Sequence, residues 1–322
     1  MSIHGKDNPS SPAVSWIDVG EEESGQRLDH FLMARLRGVP KSLIYRVLRS
    51  GEVRVDRRRV EGAHRIAPGE RIRIPPLRIA ERNEAIPAPH FRMPVLYEDE
   101  AIIALDKPAG LAVHGGSGIA HGAIESLRSM RPQARYLELV HRLDRETSGV
   151  LLVAKKRAAL VALHAMLRDH AIDKRYLAGV AGRFRNEQQR VRLALEKRVT
   201  GTGEKRVSVS SAGVSAETVF RRLARGAEFS LLEAQLLTGR THQIRVHLAH
   251  LGHPILGDDK YGDFDLNRRV RKLGLKRMFL HAASLALAHP ITGEALSIVA
   301  PLPAELARFR DRHLTPGAEA AA

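Results

Sequence analysis

The sequence predicts an α+β chain of two unequal domains, and three observations carry that prediction. Residues 26–74 show first a helical and then an alternating apolar pattern. A proline-rich stretch follows, with Pro75, Pro76, Pro87, Pro89 and Pro94. From Val95 to Phe309 strand-like and helix-like segments mix without another such break. A chain of 322 residues suits two domains at about 100–200 residues each. The expected organisation is a disordered polar leader over residues 1–24, a small basic domain over 25–76 and a linker over 77–94. A large domain over 95–312 and a flexible tail over 313–322 complete it.

Composition narrows the function. The 43% hydrophobic content allows a sizeable core. No apolar run reaches the ~18–20 residues of a membrane span. The first residues are polar and do not resemble a secretory signal. There is no cysteine, which excludes disulfides, thiolate metal sites and cysteine nucleophiles and fits a reducing cytoplasm. The formal net charge is +16, an excess that suits a polyanionic partner, nucleic acid before anionic membrane.

Half of that excess lies between Gln26 and Ile74, where thirteen Arg/Lys face five Asp/Glu. The leader before it carries an acidic run at Glu21–Glu23. In the basic module Leu28, Phe31, Leu32 and Leu36 share one helical face, and Ile44, Val47 and Leu48 repeat the spacing in a second short helix. Gly51 sits where a helix C′ glycine is expected. Period two then takes over: Val53 and Val55 flank Arg54, and Ile72 and Ile74 alternate with Arg71 and Arg73. Arg54, Arg57, Arg58 and Arg59, with Lys41, Arg46 and Arg49 of the second helix, would thus face outward as a cationic surface.

In the large domain, His141-Arg142-Leu143-Asp144-Arg145-Glu146-Thr147-Ser148-Gly149 lies between two strand-like runs, Leu137–Val140 and Gly149–Ala154. Thr147, Ser148 and Gly149 suit a tight turn, which would hold Asp144 rigidly beside two arginines. A carboxylate so placed stays ionised and available as nucleophile or base. It would serve equally as a turn residue capping backbone amides, and the residues alone allow both. Further on, residues 173–180 and 229–237 read as strands and Arg240–Leu251 as a helix.

These segments resemble known families. Gln26–Leu32, Pro40-Lys41-Ser42, Arg49–Asp56 and Pro68–Ile72 are similar to the S4 RNA-binding domain, which implies a helix–helix–strand unit gripping structured RNA through residues such as Arg27. The motif around Asp144 resembles the catalytic motif of the RluA-type pseudouridine synthases. Leu105–Gly110 with Val113-His114, Asp173–Ala178, Thr238–His247, Gly252–Asp258 with Tyr261-Gly262, and Phe279–Ala282 agree with that family in order and spacing. The resemblance implies a mixed, mainly antiparallel sheet with flanking helices. It also implies isomerisation of uridine to pseudouridine with no cofactor and no metal. Asp144 would be the catalytic carboxylate, Arg245 its ion-pair partner and Tyr176 a stacking residue on the target base. Arg142 would fill the place the base has left. Residues 39–45, 72–76 and 113–118 are most similar to members acting on large-subunit (23S) ribosomal RNA. That RNA or its precursor is therefore the expected partner of a cytoplasmic, monomeric enzyme.

Within the resemblance, a synthase acting on another ribosomal or transfer RNA site is the alternative. Outside it stands a non-catalytic RNA-binding ribosome-assembly protein, which would need a broken site, although Asp144, Tyr176 and Arg245 are all present. A metal-dependent nuclease is the other reading outside it. His247, His250 and His253 share a spacing that suits ligands, and Asp258 and Asp259 follow. No acidic residue shares their turn and no thiolate exists, so they read as hydrogen-bonded histidines or RNA contacts. Gly115-Gly116-Ser117-Gly118 reads as a turn rather than a phosphate loop. Lys107-Pro108 is expected to shape a turn near the site.

Overall fold

The computed structural model describes residues 14–36, 39–77, 91–115, 121–199 and 205–315. Two compact units divide between Pro87 and Ala88. The Gly116-Ser117-Gly118 loop and most of the expected linker lie outside the described residues.

The first unit contains β1 (Ser15–Asp18), α1 (Leu28–Arg35), α2 (Lys41–Arg49), β2 (Arg54–Val55) and β3 (Arg71–Ile74). Its sheet order is β1-β3-β2, antiparallel throughout. The two helices cover one sheet face, burying Leu28, Phe31, Leu32, Ile44, Val47 and Leu48 against Val55, Ile72 and Ile74. Helical spacing puts these side chains on one stripe, and their removal from water stabilises the unit. The expected leader ends earlier than residue 24. Ser15–Asp18 is a strand paired along β3, with Val19 buried. Glu21–Glu23 forms a single 3₁₀ turn, and Glu23 accepts a 2.5 Å bond from Arg35. A sheet edge and an arginine partner order a segment whose own composition is polar.

The second unit begins, in chain order, with β4 (Val95–Glu98), β5 (Ile102–Lys107), α3 (Ala123–Met130), β6 (Glu138–Leu139), β7 (Ser148–Ala154), α4 (Arg157–Arg168), β8 (Asp173–Ala181) and β9 (Gln188–Val199). There follow β10 (Lys205–Val209), β11 (Val214–Arg225), β12 (Phe229–Leu236), α5 (Gln243–His250), α6 (Phe264–Lys272), β13 (Leu280–Ala288), β14 (Ala295–Val299) and α7 (Ala304–His313). The sheet runs β10-β9-β11-β12-β8-β13-β7-β5-β4, with β14 on β13 and β6 on β7. All described pairings are antiparallel except β13 with β7. Alternate residues of β5 and β7 pack into different clusters. Ile103, Leu105, Leu151 and Val153 enter one, and Ile102, Ala104, Val150 and Leu152 enter the other, against Ala159 and Leu163 of α4. Burial on both faces explains why 149–154 is continuously apolar. The expected tail also starts late: Leu314 is fully buried beside Phe309 and Leu306. At the other end, Met93 is buried in the same core as Leu105, and the Phe91 amide donates to Ser126 Oγ.

The parallel contact is short and tightly made. His281 pairs with Ser148, and Ala282 with Gly149. Ser148 Oγ is hydrogen-bonded to His281 Nδ1 at 2.9 Å and accepts from Arg277 Nη2 at 2.9 Å. Gly149 has φ +109°, and a Cβ there would lie 2.1 Å from the Ala282 carbonyl oxygen. Gly149→Ala combines a left-handed backbone with a backbone clash. It should cost about 3–4 kcal/mol, measured as a lower urea midpoint for the second unit.

Candidate active site

Asp144 stands in the loop between β6 and β7, and other chain segments hold that loop from below. Lys107, at the end of β5, is fully buried. Its ammonium donates to the carbonyls of Pro108 at 2.9 Å, Leu111 at 2.7 Å and Arg145 at 3.1 Å. The Gly110 amide donates to the Arg145 carbonyl, and Arg145 Nε returns a bond to Gly110. The Thr147 amide closes the turn on the Asp144 carbonyl. Burial pulls the Lys107 pKa down to about 7, yet three carbonyls match its three donors. Lys107→Met would leave those buried acceptors without a donor and release the loop. A stability loss of roughly 2–4 kcal/mol and a fall in turnover larger than any change in RNA affinity are expected. Calorimetry and single-turnover kinetics would measure the two.

Arg245 comes from α5, which starts later than the periodicity suggests. His242 takes a left-handed conformation (φ +55°) and the helix runs from Gln243. Buried Gln243 fixes this start: its Oε1 accepts from the Arg240 amide and Thr238 Oγ1, and its Nε2 donates to the Glu217 carbonyl and Thr218 Oγ1. One residue from Ile244, Arg245 is itself buried.

The guanidinium divides its bonds. Nη1 donates to Asp144 Oδ2 at 3.0 Å. Nε and Nη2 form a fork on Asp258, both at 2.8 Å. Asp258 is 1% exposed, and its Oδ1 also accepts the Lys260 and Tyr261 amides. Burial opposes the charge on Asp258, but the Arg245 fork and these amides outweigh it and hold its pKa below the ordinary value. Burial likewise opposes Arg245, and its two carboxylates raise its pKa nonetheless. The ion-pair partner expected for Asp144 is therefore in place, but its planar fork is spent on Asp258. Sequence reasoning gave Asp258 no such role, although its position thirteen residues after Arg245, just past a helix and Gly257, was visible.

Two more groups close the site. His242 Nε2 lies 3.8 Å from Asp144 Oδ1, and its Nδ1 is 2.8 Å from the Tyr261 hydroxyl. Burial lowers the His242 pKa, which favours the neutral ring. Tyr176, on β8, is buried, and both burial and the Asp144 charge raise its pKa, so the phenol keeps its proton. Asp144, Tyr176 and Arg245 thus meet on one cavity of about 500 Å³. Asp144 is the one carboxylate among the residues lining it, while Arg142, Arg168, Lys174, Arg240 and Arg245 supply cations. Arg142 is exposed at the rim of this lining.

The other basic residues lie on the first unit. Lys41, Arg46, Arg49, Arg54, Arg57, Arg58 and Arg59 are exposed. Arg59 bonds the Arg49 carbonyl, and Arg54 the Gly51 carbonyl. Arg27 is partly committed to structure, with a fork on buried Asp29 at 3.1 and 2.7 Å. Two of the three spaced histidines are bonded within the fold, while His250 is exposed. His247 Nδ1 meets Thr218 Oγ1 at 3.0 Å and His253 Nδ1 meets the Ala181 carbonyl at 2.8 Å. No group of three potential metal ligands occurs among the described residues. Nor, among them, is any helix long and apolar enough to cross a membrane.

Comparisons with known proteins give the family. The family described as RNA pseudouridylate synthase matches residues 101–250, the span from β5 through α5. Ribosomal large subunit pseudouridine synthase C of Escherichia coli K12 is 49% identical over 92% of this chain and 96% of its own length. The protein of the same name from Salmonella typhi is 48% identical over the same shares. Among solved structures, human RNA pseudouridylate synthase domain containing 4 shares 27% identity at a TM-score of 0.55, covering 68% of this chain and 92% of that one. Sequence, fold and family match together place the chain in the RNA pseudouridylate synthase family, in the group of the ribosomal large subunit pseudouridine synthases C.

Proposed function

We propose that this protein converts uridine to pseudouridine at defined positions of large-subunit ribosomal RNA, with Asp144 as the catalytic carboxylate. The carrying observation is the single carboxylate in a cation-lined cavity, held by Arg245 and facing Tyr176. The isomerisation breaks the C1′–N1 bond, turns the base and joins C1′ to C5. The C5 proton leaves and N1 gains one, so no oxidant, reductant or energy source is needed. Reaching the bond means extruding the nucleotide from its stack, at a cost of a few kcal/mol. Tyr176 offers an aromatic face to the extruded base, and Arg142 a guanidinium plane to the neighbours left behind. Tyr176 keeps its proton and His242 favours the neutral ring, and Asp144 is the carboxylate we assign as base or nucleophile. The reaction is expected to take place in the cytoplasm.

The test is tritium release from ribosomal RNA carrying 5-tritiated uridine, with mapping of the pseudouridines formed. Release at a few discrete positions is the expected outcome, and absence of release would overturn the assignment.

The first unit serves, on this reading, as an S4-type RNA-binding domain. Its helix pair, β-strands and exposed Arg46, Arg49, Arg57 and Arg58 support that role. Deleting residues 1–76 should leave the catalytic unit folded, because the chain divides after Pro87. Affinity for ribosomal RNA should fall, and the slope of log affinity against log salt should drop by about 0.7–0.9 for each phosphate that is no longer gripped. Filter binding across a salt series measures both. An unchanged slope would remove the RNA-gripping role from this unit.

A further inference from the structure

The strand that replaces part of the expected leader brings the chain's single tryptophan, Trp16, onto the first unit's sheet. In register, Trp16 stands opposite Arg73, and Arg73 opposite Arg54. Sheet alternation puts all three on the face away from the helices, because Val55, Ile72 and Ile74 point into the core. Trp16 remains 42% exposed and its neighbour Val14 39%. Arg71 extends the same face, its guanidinium 5.1 Å from the Trp16 ring centroid. Asp18 and Asp56 are among the acidic residues at this face, and both attend to Arg71. Asp18 Oδ1 lies 3.4 Å from its Nε, and Asp56 Oδ1 accepts its backbone amide at 2.9 Å. Arg73 is anchored by a 2.8 Å bond to the Glu52 carbonyl. Next to β2, Asp56 and Arg57 both take left-handed backbones (φ 47° and 69°), making a two-residue turn that leaves Arg57 and Arg58 exposed.

The result is a ladder roughly 10 Å wide, aromatic on one edge strand and guanidinium-bearing on the other two. We propose that this face is a second RNA contact, in which an unpaired nucleotide stacks on Trp16 while Arg54 and Arg73 take the flanking phosphates. An indole in water gains most from a base whose own stack is already open. Bases inside a duplex are covered on both sides and offer no such surface. The guanidiniums favour a polyanion over an apolar protein surface, since Val14 and Trp16 alone make too small an apolar patch for protein docking. The inference rests on the reading of the protein as a ribosomal RNA-modifying enzyme. It goes beyond that reading by naming a face, a stacking residue and the single-stranded character of the contacted RNA.

The lone indole makes the test direct. The full chain is titrated with a short single-stranded RNA and with a duplex of equal length, following tryptophan emission and filter binding together. Saturable quenching by the single strand is expected, at the same Kd as filter binding, with shielding of the indole from acrylamide. Trp16→Ala should weaken single-strand binding by roughly 5- to 100-fold, and Trp16→Phe by less, since a phenyl ring still stacks. Circular dichroism checks that both variants keep the unit folded. Unchanged emission with RNA saturating the enzyme would overturn the proposal, as would equal quenching by the duplex. Tritium release assayed on the same preparation separates the outcomes. An active enzyme whose Trp16 stays unquenched rules out this stacking face alone, whereas an inactive one rules out the proposed function.

Discussion

Asp144→Asn is expected to reduce pseudouridine formation by roughly 10⁴-fold or more while leaving ribosomal RNA affinity within a few-fold of the parent. The substitution keeps the size of the side chain and removes its charge. Arg245 retains its fork on Asp258, so the pocket keeps its shape and the change falls on the chemistry. Lys107 continues to bind the loop through backbone carbonyls that the substitution does not touch. Tritium release and filter binding on the same preparation check both halves. Substantial turnover by the Asn variant would remove Asp144 from the catalytic role.

Arg245→Ala is expected to harm both fold and function. It leaves the buried Asp258 carboxylate without its counter-charge, a loss of about 3–5 kcal/mol. It also takes away the donor that orients Asp144, lowering turnover by roughly 10²- to 10³-fold. Arg245→Lys should recover only part of either, because an ammonium cannot span both Asp258 oxygens and reach Asp144 as well. Asp258→Asn supplies the complementary measurement. It should lower turnover without altering any group that lines the cavity beside Tyr176, acting through the aim of Arg245. Thermal unfolding and single-turnover rates for the three variants separate support from chemistry. If Arg245→Ala kept parental turnover, the Asp144–Arg245 contact would have no catalytic meaning.

The elements most legible in the sequence are those whose burial is local. Leu28, Phe31 and Leu32, or Ile44, Val47 and Leu48, declare a helix because the apolar spacing matches the turn. Residues 149–154 declare a buried strand by being apolar throughout. Ser15–Asp18 is hidden because its order comes from pairing with β3, more than fifty residues away, and not from its own composition. Periodicity misplaces the start of α5 because Gln243 caps it through contacts with Thr238 and Glu217, which no spacing reveals. The Asp144 motif points to a held carboxylate, and resemblance narrows its role. The Asp258 fork is a different matter: a buried carboxylate and a surface carboxylate look alike in a string of letters. Lys107 illustrates the same limit. Its turn is expected, but not that its ammonium is fully buried on three carbonyls.

The short parallel pairing of β13 with β7 also sets the order in which the two halves of the cavity can be joined along the chain. In the sheet, β8 with Tyr176 and β7 with the Asp144 loop are not neighbours; β13 lies between them. Asp144 and Arg245 are 101 residues apart in the chain, and β13 comes after both, at Leu280–Ala288. A growing chain past Arg245 but short of Leu280 contains every proposed catalytic residue and lacks the strand that joins their two halves. Such late, long-range closure folds slowly compared with local helix packing. The sheet therefore cannot join the Asp144 loop to β8 until β13 has been made.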